Sequence, residues 1–136
     1  MVDVSGKPVE HRTAVARGEI RMAPATLKLI RADKIAKGNV LVTARIAGIQ
    51  AAKRTSELIP MCHPLPINHC EVDFVFPKAG NAIVITTTVK VTAKTGVEME
   101  ALTAVNIVAL TIYDMCKAVD KKMCVTNMKL VIKTKQ

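Results

Sequence analysis

Residues 67–93, INHCEVDFVFPKAGNAIVITTTVKVTA, set the architecture. From Ile67 to Phe76 the chain alternates. Cys70, Val72, Phe74 and Phe76 take one side, and His69, Glu71 and Asp73 take the other, as successive residues of a strand must. Pro77-Lys78-Ala79-Gly80-Asn81 is a cluster of turn formers. Beyond it Ile83, Ile85, Val89 and Val91 repeat the alternation, so 67–93 is expected to be a β-hairpin.

The flanks complete the order. Ala14, Ala16, Ile20 and Met22 oppose Arg17, Glu19 and Arg21, which predicts a strand over 13–22. Pro24 opens a short helix to about Lys34, and Lys37-Gly38 breaks it. Asn39 is a good N-cap for a longer helix that Pro60 ends. The small residues Ala44, Ala47, Gly48, Ala51 and Ala52 would let another backbone approach it, while Arg45, Lys53 and Arg54 make it basic. Thr95-Gly96-Val97-Glu98 has the form of a capping box for a helix over 95–119. Met128, Leu130 and Ile132 alternate with Lys129, Val131 and Lys133 in a last strand. The order β-α-α-β-β-α-β predicts an α+β, ferredoxin-like sandwich. It has a four-stranded antiparallel sheet with helices packed on one face, plus one extra helix. The length of 136 residues suits one domain spanning 1–136.

Composition narrows the function. Four cysteines are too few for a disulfide scaffold and read as the reduced thiols of a cytoplasmic protein. Val2 to Arg21 is polar and mixed, unlike a signal peptide. The apolar run Ala101–Ile112 is broken by Thr103, Asn106 and Thr111, so it reads as a buried helix rather than a membrane span. The net charge of +9 invites an anionic partner. With one tyrosine, two phenylalanines and no tryptophan, stacking on single-stranded nucleic acid is disfavoured, and outward Thr86, Thr88 and Lys90 offer no aromatic platform. A phosphate-binding pocket fits the scattered basic residues better.

The helix at 95–119 carries one polar stripe of Glu100, Thr103, Asn106, Thr111, Asp114 and Lys117. The rest of its girth is apolar, more than one sheet face covers, which predicts packing against a second chain. Asp114 and Lys117 are i, i+3 and can touch. A partly desolvated lysine there could exchange a proton near neutrality, with Asp114 orienting it. Four potential metal ligands, Cys62, His63, His69 and Cys70, lie close in sequence, but strand alternation sends His69 and Cys70 to opposite faces. No C-x-x-C is present, so neither a metal site nor thiol-redox chemistry is expected. Cys62-His63 lies between Pro60 and Pro64 in a rigid loop, where binding residues are often carried.

Three segments are similar to one known family: MVDVSGK (1–7), GNVLVTARIAGIQAAKRTSELIPMCHPLPI (38–67) and KTGVEMEALTAVNIVALTIYDMCKAVDKKM (94–123). They closely resemble the cyclic pyranopterin monophosphate synthases of molybdenum cofactor biosynthesis, the MoaC family. Met61 stands where that family usually has leucine, and relatives continue past the equivalent of Gln136 into a Gly-rich, Lys-containing tail. The resemblance implies a ferredoxin-like fold and a hexamer, a trimer of dimers with active sites at a dimer interface. It implies a lyase reaction on a cyclised dihydro-GTP that releases pyrophosphate, without an organic cofactor, nucleic acid or membrane. Carried over by motif, Asp114, Lys117 and Lys37 are the catalytic groups. Met61, Cys62, His63, Met99, Glu100 and Arg12 meet the substrate, and Lys53 adds positive field. With Glu98 assigned to the capping box, Glu100 is the carboxylate favoured for substrate contact.

Overall fold

A computed structural model describes residues 1–136. The elements run β1 (Glu10–Arg21), α1 (Pro24–Arg31), α2 (Val40–Lys53), α3 (Thr55–Leu58), β2 (His69–Val75), β3 (Ala82–Ala93), α4 (Glu98–Cys116) and β4 (Cys124–Lys135). The four strands form one antiparallel sheet in the order β2-β3-β1-β4. This is the expected α+β, ferredoxin-like arrangement. Helix α4 lies across β1, β3 and β4, and α2 lies beside it over β2. Between them they cover one sheet face.

The hairpin pairs as read, with His69 opposite Lys90 and Val75 opposite Val84. Ile83, Ile85 and Val89 are fully buried with Ala16 and Ile20 of β1 under Val105, Val108 and Ile112 of α4. Thr87 is buried among them and donates its hydroxyl to the Ala101 carbonyl at 2.8 Å, so its one polar group is satisfied by the helix it supports.

Helix α4 ends at Cys116 rather than near 119, β2 is shorter than 67–76, and four other boundaries differ from the sequence reading for a local reason. Strand β1 begins at Glu10, because Glu10-His11-Arg12 pairs with β3 although it holds no apolar residue. Helix α1 stops at Arg31: Asp33 adopts a φ of 55°, and Lys34 N–H donates to the Leu29 carbonyl at 2.9 Å in a Schellman-like close. The long helix expected up to Pro60 breaks at Arg54. Thr55 Oγ1 bonds the Ala51 and Ala52 carbonyls at 3.2 and 3.0 Å, taking the place of the amides that would continue the helix. The N-cap of α2 is as expected, with Asn39 Oδ1 accepting from Val42 N–H at 2.9 Å. Strand β4 begins at Cys124, which pairs with Arg21. Two register shifts against β1, one near Asn127 (φ 56°) and one near Val131, interrupt its alternation, so Leu130 lies opposite Ala16 but Ile132 opposite Val15.

The capping box does not form. Helix α4 begins at Glu98 with Val97 as an N-cap that makes no side-chain bond, and Glu98 instead pairs with Lys133 on β4. A buried cap does form elsewhere. Asp120, after α4, accepts the Ala23 N–H and the Thr26 hydroxyl, both at 2.9 Å, and so closes the start of α1 from a distance. The Ala23 N–H bond holds the Asp120 carboxyl below its ordinary value, helped by Lys122 N–H and Thr26 and against the effect of burial. A carboxyl lowered in the folded state stabilises above its unfolded pKa and loses that stabilisation as pH falls through the folded one. Asp120→Ala should therefore lose about 1–2 kcal/mol at neutral pH, the cost of a lost cap. In denaturant titrations against the parent chain, the difference should shrink as the pH is taken below 3.8.

Candidate active site

The loop between Pro60 and Pro66 folds against the N-terminal end of α4 and encloses a cavity of about 320 Å³. Leu65 and Ile67 anchor the loop on the core. Met61, Cys62 and His63 form one wall, with Met99, Glu100 and Glu98 opposite. Sequence reasoning set Glu98 aside as a capping residue, and it missed Leu65, Thr95 and Gly96, which complete the lining. No local signal marks Glu98: its partner Lys133 comes opposite Ala14 only through the pairing of β4 with β1.

The two glutamates are driven apart electrostatically. Burial raises Glu100, which is 4 % exposed, and the charge of Glu98 adds to that. Burial would raise Glu98 too, but the hydrogen bond from Lys133, its own N–H, and the charges of Lys133 and Arg12 outweigh it and hold Glu98 below its usual value. One carboxylate is thus kept ionised beside another that takes up a proton more readily, the pattern that separates acceptor and acid roles. Burial, then the nearby Glu100, pushes the Cys62 thiol up, so Cys62 enters the pocket as a thiol rather than a thiolate nucleophile.

A second cluster sits at the other end of α4. Asp114 Oδ2 accepts from Lys37 Nζ at 2.8 Å, and its Oδ1 lies 2.9 Å from Lys117 Nζ. Lys37 also donates to the Asp114 carbonyl at 3.2 Å. The hydrogen bond from Lys37, and then that from Lys117, brings Asp114 down to about 2. The expected partly desolvated lysine is not what this chain holds: the Lys117 side chain is 57 % exposed, and its hydrogen bond to Asp114 raises its pKa. Lys117 is therefore held as an ammonium ion, suited to donating a proton or stabilising charge rather than abstracting a proton.

Arg12 and Lys53 stand outside the pocket lining. Arg12 donates to Glu10 at 2.6 Å and to the Ala93 and Lys94 carbonyls at 3.2 and 3.3 Å, behind Glu98. Lys53, at the end of α2, faces Cys70, whose thiol burial pushes up and Lys53 pulls back. No three His, Cys, Asp or Glu side chains converge as a metal site. Exposed His69 leans to Glu71 at 3.5 Å while Cys70 turns inward, as the alternation requires.

The family model described as MoaC family matches residues 1–136. The chain belongs to the MoaC family. Curated relatives carry the name cyclic pyranopterin monophosphate synthase. That of Parvibaculum lavamentivorans is 56 % identical over 134 residues, covering 98 % of this chain and 84 % of the relative. That of Chloroflexus aggregans is 59 % identical over 133 residues, covering 98 % and 81 %. That of Thermomicrobium roseum is 53 % identical over 133 residues, covering 98 % and 80 %.

In this MoaC chain the pocket and the lysine cluster are far apart. Glu100 and Asp114 are fourteen residues apart on one helix, about 20 Å at 1.5 Å per residue. Met99, Thr103, Asn106, Leu110, Asp114 and Lys117 follow one another at three- or four-residue steps, so one face of α4 runs from pocket to cluster. That face is open, with Leu110 54 % exposed. Asp114→Asn should release both ammonium groups and bring the Lys117 pKa back toward 10.5. It should leave stability nearly unchanged, since these pairs are exposed. An NMR titration of the lysine side chains checks the first and denaturant unfolding the second.

Proposed function

We propose that this chain converts 3′,8-cyclo-7,8-dihydroguanosine 5′-triphosphate into cyclic pyranopterin monophosphate with release of pyrophosphate. This is a lyase step early in molybdenum cofactor biosynthesis. Family membership sets the reaction class, and the observation that carries the reading is the Lys37–Asp114–Lys117 cluster. One fully ionised carboxylate holds two ammonium groups at bonding distance, with water still able to leave. A triphosphate and a departing pyrophosphate both need such donors. At the other end, Glu98 and Glu100 would repel phosphates but can accept the N–H donors of a purine-derived ring, with His63 and Cys62 beside them. The ring therefore belongs at the pocket, and the anionic and proton-transfer chemistry belongs at the lysines. Arg12 and Lys53 contribute positive field from outside the lining.

The two halves are too far apart to serve one small molecule within one chain. A second copy crossing α4 antiparallel near Ile107 brings the pocket of one protomer to the lysine cluster of its partner. Leu110, Asn106 and Thr103 are then covered by the same contact. The exposed Leu110 on an otherwise core-building helix supports this dimer, and the family resemblance extends it to a trimer of dimers in the cytoplasm, each chain one MoaC-like domain over 1–136. Helix α4 is the one helix long and apolar enough to cross a membrane, yet it carries Glu100 inward and is the core helix of this fold.

Incubation with the cyclised nucleotide should release pyrophosphate; none from the assembled parent chain would overturn the reading. Lys117→Ala should lose about a hundred- to ten-thousandfold in rate with the fold intact, and Asp114→Asn nearly as much. The double variant should be little worse, because the residues act as one unit. Leu110→Glu should give inactive monomer or aggregate by light scattering. Mixing inactive Glu100→Ala and Lys117→Ala chains and reassembling them should restore about a quarter of the parent activity, since half the dimers are mixed and each has one intact site.

A further inference from the structure

The N-terminal residues Met1–Ser5 form no regular element, yet they are tied to the body at three points, one of them the Met1 amino group, which donates to Met61 Sδ at 3.4 Å. His63 Nε2 lies 2.8 Å from the Val2 carbonyl oxygen. Lys94 Nζ donates to the Ser5 carbonyl at 2.7 Å. Asp3 Oδ1 accepts from the Ser5 N–H at 2.8 Å and turns the segment back on itself. A cavity of about 430 Å³ lies beneath, lined by residues 1–5, Lys94 and His63. His63 is the one residue shared with the 320 Å³ pocket, so its ring is the partition between the two.

The chemistry of that partition is constrained. A carbonyl oxygen only accepts, so the nitrogen facing Val2 must carry the hydrogen. In the neutral ring the other nitrogen, Nδ1, is then bare. A histidine's tautomer is set by the bond its other nitrogen makes. The strap supplies a backbone group for this, one that side-chain substitution at Val2 leaves in place. We propose that residues 1–5 act as a positioning strap that holds His63 in the Nε2–H tautomer, so that Nδ1 meets the substrate as an acceptor. This rests on the pocket being the ring-binding half of the site. Lys94 and Asp3 are positioning residues within it, acting through the strap.

The test uses the full chain with Lys94→Met, which keeps the stem but removes the ammonium that pins Ser5, and independently Asp3→Ala, which removes the turn. Lys94→Arg serves as the conservative rescue. ¹⁵N spectra of labelled histidine at mildly alkaline pH should show His63 as the Nε2–H form in the parent and in Lys94→Arg. A mixture of tautomers should appear in Lys94→Met and Asp3→Ala. In those two, kcat should fall about ten- to hundredfold, the usual loss for a group that orients a working side chain, with KM little changed. An unchanged tautomer in both variants overturns the proposal. So does a lost tautomer with parent-like kcat, and so does a raised KM with the tautomer intact, which would make Lys94 a substrate contact. A parent chain that releases no pyrophosphate sinks the substrate reading alone, and the spectra then still decide whether the strap sets the ring.

Discussion

Helices α2 and α4 meet at Gly48, and that contact sets how close they run. A methyl group there would overlap Val108 Cγ2 and press on the Ala104 carbonyl oxygen and Val72 Cγ2, each 3.4 Å away. A glycine inside a helix costs about 1 kcal/mol relative to alanine. Here the gain is the close seam that holds α4 flat on the sheet, with Ala44 and Ala52 fully inside beside it. Because α4 is clamped between α2 and the strands, its two ends stand at fixed positions. The pocket and the lysine cluster are both attached to those ends, so the geometry of the whole site is inherited from this packing.

The rigid spacing also explains the distribution of charge. Acidic groups at the start of α4 lie by the positive end of its dipole, and Lys133 from β4 holds Glu98 ionised there. At the far end the cations gather around Asp114, near the negative end of the same dipole. The helix thus separates an acceptor-rich region from a donor-rich one along its own axis. No side chain in one chain spans the gap.

Much of this is legible in the amino-acid order alone. The hairpin, the sequence of elements and the inward face of β1 follow from period-two patterning, and the Asn39 cap and the Asp114–Lys117 contact follow from local spacing. What fails is what distant residues decide. The Thr95–Glu98 motif has the right letters, yet Glu98 goes to Lys133, thirty-five positions away in sequence and adjacent only once β4 is in the sheet. The break after Lys53 depends on which way the Thr55 hydroxyl turns. The raised pKa of Lys117 comes from its hydrogen bond to Asp114 with too little burial to oppose it, and helical periodicity does not reveal how open that end of the helix is. Lys37 joins Asp114 in the sequence reading only through the family resemblance, since seventy-seven positions separate them. The tie between His63 and Val2 has no signal of its own.

The strand order has a consequence for how the molecule comes into being. Strand β1 lies second from the edge, between β3 and β4, so both its neighbours are made after it. The residue pairs Arg21–Ala82 and Arg21–Cys124 lie at the near end of each ladder, so β1 waits for its second neighbour until roughly a hundred more residues have been made. Such distant pairings make folding slow. During synthesis the apolar side of β1, with Ala14, Ala16 and Ile20, has no complete sheet to join, and an unpaired strand of this kind is open to the wrong partner. The ribosome therefore delivers a chain whose first strand is vulnerable for most of its synthesis, and expression at high rates or high temperature would strain this step before it touched the stability of the finished fold.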